Sequence, residues 1–162
     1  MKVGVLSDTH DRLPTFQRAV ALFRRLKVDA IFHAGDYVAP FAGKLLGPEA
    51  LGNTPLHCVY GNNDGEKAGL KKVLPGIVDG PLRTKLGGKT IVMHHWIDSL
   101  RPADLAGADV VITGHTHEVV TETRDGKLFL NPGECCGWVS GRCTVALLDL
   151  TTLKAEVVEV RG

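Results

Sequence analysis

Five short apolar runs in this 162-residue chain each lead into a residue with a metal-ligating side chain. Val3 to Leu6 is followed by Asp8 and His10, Ala30 to His33 by Asp36, and Leu56 to Tyr60 by Asn62. Thr90 to Met93 leads into His94 and His95, and Asp109 to Thr113 into His115 and His117. Compact runs of this kind read as buried strands. Side chains so distant in sequence meet only if the strands lie side by side and end at a common edge, the way open α/β sheets build ligand sites. Carboxylates and imidazoles suit borderline divalent transition metals, and the Asn62 carboxamide adds a neutral oxygen.

The connecting segments agree with such a sheet. Phe16, Ala19, Val20, Phe23 and Leu26 recur at helical spacing, with Arg18, Arg24, Arg25 and Lys27 on the other face. A second helix is predicted over Phe41 to Leu46, interrupted by Gly47-Pro48. This strand–helix alternation implies parallel pairing through right-handed crossovers. Further on, the pattern predicts a helical turn or two over Ala68 to Leu74, a strand over Pro81 to Lys85 and a short helix around Pro102 to Ala106. After His117, two hairpins are expected: Val119 to Thr121 with Lys127 to Leu130 across Asp125-Gly126, and Thr144 to Leu150 with Ala155 to Val160. The second half therefore favours antiparallel pairs. No repeat or linker interrupts the chain, so one domain over 1–162 is expected.

Composition narrows the partners. A formal net charge of +1 argues against a polyanion-coating protein, and Arg24-Arg25 and Lys71-Lys72 read as solvated faces, so no extended nucleic acid is expected. No apolar stretch approaches the roughly 18 residues that span a bilayer. The start, Met1 to Asp8, turns acidic too soon for a signal peptide. A cytoplasmic location without a membrane partner is the expectation, and four cysteines lacking a CxxC pair read as reduced, packed thiols. Gly88-Lys89-Thr90 imitates the end of a phosphate-binding loop, but Arg83 stands where the upstream glycine belongs. His33 and His57 read as packed histidines, and Trp96 and Trp138 as half-buried structural rings, with stacking on a base as the alternative.

Asp8-Thr9-His10 and His115-Thr116-His117 share a design, because residues i and i+2 of an extended backbone point to one side. The full order, Asp8-Thr9-His10, Gly35-Asp36, Gly61-Asn62-Asn63-Asp64, Met93-His94-His95 and Gly114-His115-Thr116-His117, resembles the calcineurin-like metallophosphoesterase superfamily nearly end to end. With Asn131-Pro132-Gly133-Glu134-Cys135-Cys136-Gly137, the chain looks most like the small single-domain prokaryotic phosphodiesterase branch. The resemblance implies a four-layer α/β/β/α sandwich of two mixed sheets flanked by helices, carrying a dinuclear metal site. By similarity, one metal takes Asp8, His10, Asp36 and His117, and the other takes Asp36, Asn62, His94 and His115. Reading Val92-Met93-His94 as the strand exit favours His94; a shift by one residue favours His95. Manganese is the first choice of ion, with nickel, cobalt, iron and zinc as alternatives that ligand type does not separate.

The implied activity is hydrolysis of a small phosphodiester, with Asp36, Asn62, His94 and His115 in the catalytic set. A phosphomonoesterase or nuclease on the same scaffold is the alternative, and a non-catalytic retromer-like scaffold a more remote one. Relatives suggest a homodimer. One departure bears on substrate choice: phosphomonoesterases of the superfamily often carry His where this chain has Asn63, and a carboxamide cannot protonate a leaving oxygen as imidazolium does. Diesters are therefore expected to be better substrates than alkyl monoesters, with Asp64 a loop-fixing carboxylate.

Overall fold

Side-chain alternation along the strands decides the layering. Val3 and Val5 of β1 (Lys2–Leu6) enter one core, shared with Ala30 and Phe32 of β2 (Ala30–His33), whereas Leu6 and Ile31 enter another that contains Phe16, Val20 and Phe23 of α1 (Leu13–Arg25). Burying each of those two phenylalanines contributes about 1.5–3 kcal/mol. The computed structural model describes residues 1–160. After β2 come α2 (Pro40–Gly43), α3 (Pro48–Leu51), β3 (Leu56–Cys58) and α4 (Lys67–Val73). The second half runs β4 (Leu82–Leu86), β5 (Lys89–Met93), α5 (Pro102–Leu105), β6 (Val110–Ile112), β7 (Val119–Arg124), β8 (Lys127–Pro132), β9 (Thr144–Asp149) and β10 (Lys154–Glu159).

Two five-stranded mixed sheets result, ordered β10-β9-β1-β2-β3 and β4-β5-β6-β8-β7. Within the first, β1, β2 and β3 are parallel and β9 runs antiparallel to both β1 and β10. In the second, β5, β6 and β8 are parallel, with β4 and β7 as antiparallel edges. Ile91, Met93, Val110, Ile112, Leu128 and Leu130 face the first sheet, while Val92 and Val111 face outward toward Leu105 of α5. The layers are therefore α/β/β/α. No helix among the described residues is long and apolar enough to cross a membrane.

Local differences from the sequence pattern have physical causes. The helix predicted over Phe41 to Leu46 is α2 followed by a 3₁₀ turn over Lys44–Leu46, since Gly43 is a poor helix interior residue and Pro48 cannot continue the bond ladder. Leu26, placed on the apolar stripe of α1, caps the helix and is exposed. The third strand leaves its ladder at Cys58, and Val59 bridges to Val78 instead. The second half carries the antiparallel pairs expected of it, β4 with β5, β7 with β8 and β9 with β10, but β8 also inserts between β6 and β7 and runs parallel to β6. That insertion brings the residues after β8 to the same edge as those after β5 and β6.

Candidate functional site

The loops leaving β1, β2, β3, β5, β6 and β8 converge at one end of the sandwich. Asp8, Asp36 and His95 offer ligand atoms within 4.8 Å of one another, and so do His10, His117 and Cys136. Asp36 Oδ2 stands 3.4 Å from His10 Nε2 and 3.4 Å from His95 Nε2, so this oxygen lies between two groups of side chains. On one side, Asp8 Oδ1 is 3.7 Å from His10 Nε2 and 3.4 Å from His117 Nε2. On the other, Asn62 Oδ1 meets His95 Nε2 at 3.0 Å and His115 Nδ1 at 2.7 Å.

Two glycines permit this approach. Gly35 has φ +104°, and a Cβ there would sit 2.7 Å from the Gly61 nitrogen; a Cβ on Gly61 would sit 2.1 Å from Asp36 Oδ1. The β2 and β3 loops therefore touch backbone to backbone. Asp64, almost fully buried, ties them together: Oδ1 accepts from the Tyr37 and Val38 nitrogens and Oδ2 from those of Asp36 and Gly61, at 2.7–3.1 Å. Asn63 then holds Asp36 itself, its backbone N–H donating to Oδ1 and its carboxamide to Oδ2, both at 2.8 Å.

The aspartate–histidine triplets do not reach the site as extended backbone. Asp8 (φ 53°), His10 (φ 37°), His115 (φ 70°) and His117 (φ 62°) are left-handed, as is Asp36 (φ 61°). Such conformations cost of order 1–3 kcal/mol each in non-glycine residues and persist where the surroundings over-determine them. Here Asp8 N donates to Gly35 O, Thr9 N and His10 N to Asp36 O, and Cys136 N to Asp8 O, which laces the β1, β2 and β8 loops together.

The preference for His94 is corrected. Its Nδ1 accepts from the Trp96 nitrogen at 3.0 Å and its ring lies beside Gly80, outside the cluster, whereas His95 is buried within it. The cause is the period of two along β5: Ile91 and Met93 face the inter-sheet core, and His95 continues that row while His94 follows Val92 outward. Asp8, His10, Asp36, Asn62, His115 and His117 are all brought together.

Sequence reading missed Glu134, fully buried after β8. Its Oε2 accepts from His117 Nδ1 at 2.9 Å and from Cys136 Sγ at 3.0 Å, and the carboxylate also accepts from the Val139 and Ser140 nitrogens and the Ser140 hydroxyl. The signal was present, since Lys127 to Leu130 is another apolar run leading into a carboxylate. Because a carboxylate only accepts, Nδ1 of His117 carries a proton, and in the neutral ring the Nε2 lone pair faces Asp8. Burial acts to raise the Glu134 pKa, but the Ser140, Cys136 and His117 donors outweigh it and hold the group well below the usual range. A depressed carboxylate contributes stability above its unfolded pKa of about 4.5, which is lost as pH falls below that value. Glu134→Gln is therefore expected to melt lower at pH 7 yet lose less stability between pH 4.5 and 3, by up to about 1.4 kcal/mol per pH unit. Parallel acid limbs for the two proteins in thermal melts would refute this role.

Electrostatics favour positive charge between the two groups. Burial pushes the Asp36 pKa up, but His95 contact and charge, with both Asn63 donors, hold it well below the carboxylate range. His10 is raised first by its contact with Asp8, against burial. Asp8 Oδ1 and His10 Nε2 are nevertheless buried without a hydrogen-bond partner, and the lone pair of His117 Nε2 faces the same oxygen. Buried polar atoms left unpaired call for an explanation such as an ion. Ligand atoms about 2.1 Å from one cation stand roughly 3.0–3.4 Å apart, close to the separations found here, so the residues fit divalent metal.

His33 is a packed histidine, stacked 3.7 Å on Tyr37, and burial holds its pKa well below the ordinary value. Arg12 is committed to the Cys136 carbonyl and lies 4.6 Å over the Trp138 ring. Trp96 and Trp138 are exposed rather than half-buried.

Residues 1–153 match the calcineurin-like phosphoesterase superfamily domain. The chain is 40% identical over 168 residues to phosphodiesterase MJ0936 of Methanocaldococcus jannaschii, covering 99% of this chain and 98% of that protein. The solved structure of an archaeal phosphodiesterase superposes with a TM-score of 0.87 at 35% identity, covering 98% and 99% of the two chains. The YfcE phosphoesterase of E. coli shares the fold at a TM-score of 0.73 and 22% identity, covering 99% of this chain and 100% of that one. A family match over nearly the whole length, joined to a full-length relative at 40% identity, identifies the chain as a member of the calcineurin-like phosphoesterase superfamily.

Proposed function

We propose that the protein is a divalent-metal-dependent phosphodiesterase that hydrolyses small phosphodiesters at a dinuclear centre. The observation that carries this reading is the position of Asp36 Oδ2, equidistant at 3.4 Å from a nitrogen of each group. One ion would be held by Asp8, His10, Asp36 and His117, and the other by Asp36, Asn62, His95 and His115. Such a pair, when bound, supplies Lewis acidity to a phosphoryl oxygen and lowers the pKa of the attacking water. Manganese remains the first choice among ions that suit carboxylate and imidazole ligands.

The protein's own contribution is positioning. Glu134 presents the lone pair of His117 Nε2, Asn63 orients Asp36, and Asp64 holds the two loops that carry Asp36 and Asn62. Spent on Asp36, the Asn63 carboxamide has no titratable proton to give a leaving oxygen, which supports diesters over alkyl monoesters. The archaeal relative named as a phosphodiesterase supports the same choice.

The test is metal content alongside turnover. Manganese-loaded wild-type protein is expected to bind two ions per chain and to hydrolyse a chromogenic diester faster than an alkyl phosphomonoester. His95→Ala is expected to lose one ion, and His94→Ala to keep both. Full occupancy in His95→Ala, or a faster monoester reaction in the wild type, would overturn the respective part of the reading.

A further inference from the structure

A cavity of about 180 Å³ opens beside the Asn62–His95 side of the centre, walled by Tyr60, Asn62, Lys67, His94, His95 and Trp96. Two of these walls belong to the site itself, so a phosphate held there presents one of its ester groups to the cavity. Four of the named walls are planar rings. Trp96 lines the cavity, is 45% exposed, and rests its indole against the His115 ring at 4.7 Å and 34°. His94, displaced from the metal cluster by the strand period, belongs to this cavity instead. Its Nδ1 accepts from the Trp96 nitrogen at 3.0 Å, so the neutral ring carries its proton on Nε2 as a donor. At the rim, Lys67 pairs with Asp79 and stands 5.0 Å above the Tyr60 ring, adding a donor and an acceptor.

We propose that this cavity is a subsite for one planar six-membered ring of the substrate, an aryl or pyrimidine-nucleoside group esterified to the phosphate. The proposal rests on the phosphodiesterase reading and names its substrate class. Size supports one ring, since a cavity of about 150 Å³ takes a benzene molecule. Chemistry supports a ring over an alkyl chain, because stacking on an aromatic face is sequence-tolerant and additive to phosphate binding. Polar groups of the lining, Lys67, Asp79, His94 and Ser99 among them, are of the kind that orient a ring carbonyl or amino group between aromatic walls.

Two measurements test it. In wild-type protein, cytidine 5′-monophosphate is expected to quench tryptophan fluorescence saturably and to bind at least 5-fold tighter than ribose 5-phosphate; the quench is expected to vanish in Trp96→Phe. In manganese-loaded protein, the ratio of kcat/KM for a diaryl over a dialkyl phosphodiester is expected to fall about 5- to 150-fold in Trp96→Ala, the range that loss of an aromatic stacking partner spans. Trp96→Phe, which restores a ring, is expected to recover that ratio. Equal binding of the two monophosphates, or an unchanged ratio in Trp96→Ala with diesters still hydrolysed, overturns the subsite and leaves the phosphodiesterase reading standing. Saturable, Trp96-dependent quenching in a protein that hydrolyses no diester has the opposite meaning: the ring subsite stands and the activity assigned to the centre falls.

Discussion

Asp36→Ala is expected to reduce diester turnover by more than about 1,000-fold, beyond the roughly 10–100-fold that outer-shell changes at metal sites cost. The reason is its shared position: one oxygen stands 3.4 Å from His10 Nε2 and from His95 Nε2, so its loss would disable both halves of the proposed centre together. The fold is expected to survive. His95 and Asn63 outweigh burial and hold this carboxylate ionised, so its loss costs some stability, but these groups lie at the site and not in the apolar cores. Asp36→Asn is a sharper version, since it keeps the volume while removing the charge. Steady-state rates on a chromogenic diester, with circular dichroism to confirm folding, decide the matter. Near-normal turnover in either variant would remove Asp36 from the mechanism.

Asp64→Ala carries the largest expected cost to stability. Four backbone N–H groups, those of Asp36, Tyr37, Val38 and Gly61, would lose their acceptor at a nearly buried position. An unsatisfied buried donor costs about 1–3 kcal/mol; with water replacing some bonds, a loss of about 3–4 kcal/mol follows, or roughly 6–16 °C in Tm for a chain this size. Asp64→Asn is expected to cost less. Burial and repulsion from Asp36 already raise the Asp64 pKa against the pull of its N–H donors, so neutralising it relieves part of the penalty that losing an acceptor adds. A differential scanning calorimetry melt within 2 °C of wild type for Asp64→Ala would show that these loops are held by other contacts. Activity provides the second readout, because slack in either loop moves Asp36 relative to Asn62.

Cys136 is placed unusually, its sulfur grouped with the ligand nitrogens of His10 and His117. Its thiol donates to Glu134 Oε2, and burial together with that carboxylate pushes its pKa up to about 12. It therefore stands in the site as a neutral hydrogen-bond donor, in keeping with a preference for harder ligands over thiolate.

The buried strands and six of the seven candidate positions are written in the chain itself. Compact apolar runs are a local signal of buried strands, and the period of two then puts Val3 with Val5, Ala30 with Phe32 and Val110 with Ile112 on one face. Polar residues at strand exits likewise announce a common edge, because a parallel sheet has only one end at which successive C-termini meet. Three features belong to the tertiary structure. The choice of His95 over His94 depends on the β5 register, which pairing with β6 sets: Met93 opposite Ile112 turns the next inward position to His95. Glu134 reaches His117 only because β8 inserts beside β6, a pairing between segments that no local pattern specifies. The left-handed backbone at Asp8, His10, Asp36, His115 and His117 is the third. Aspartate and histidine tolerate it better than most residues, but it still carries a cost, and it exists because hydrogen bonds between loops distant in sequence outweigh that cost.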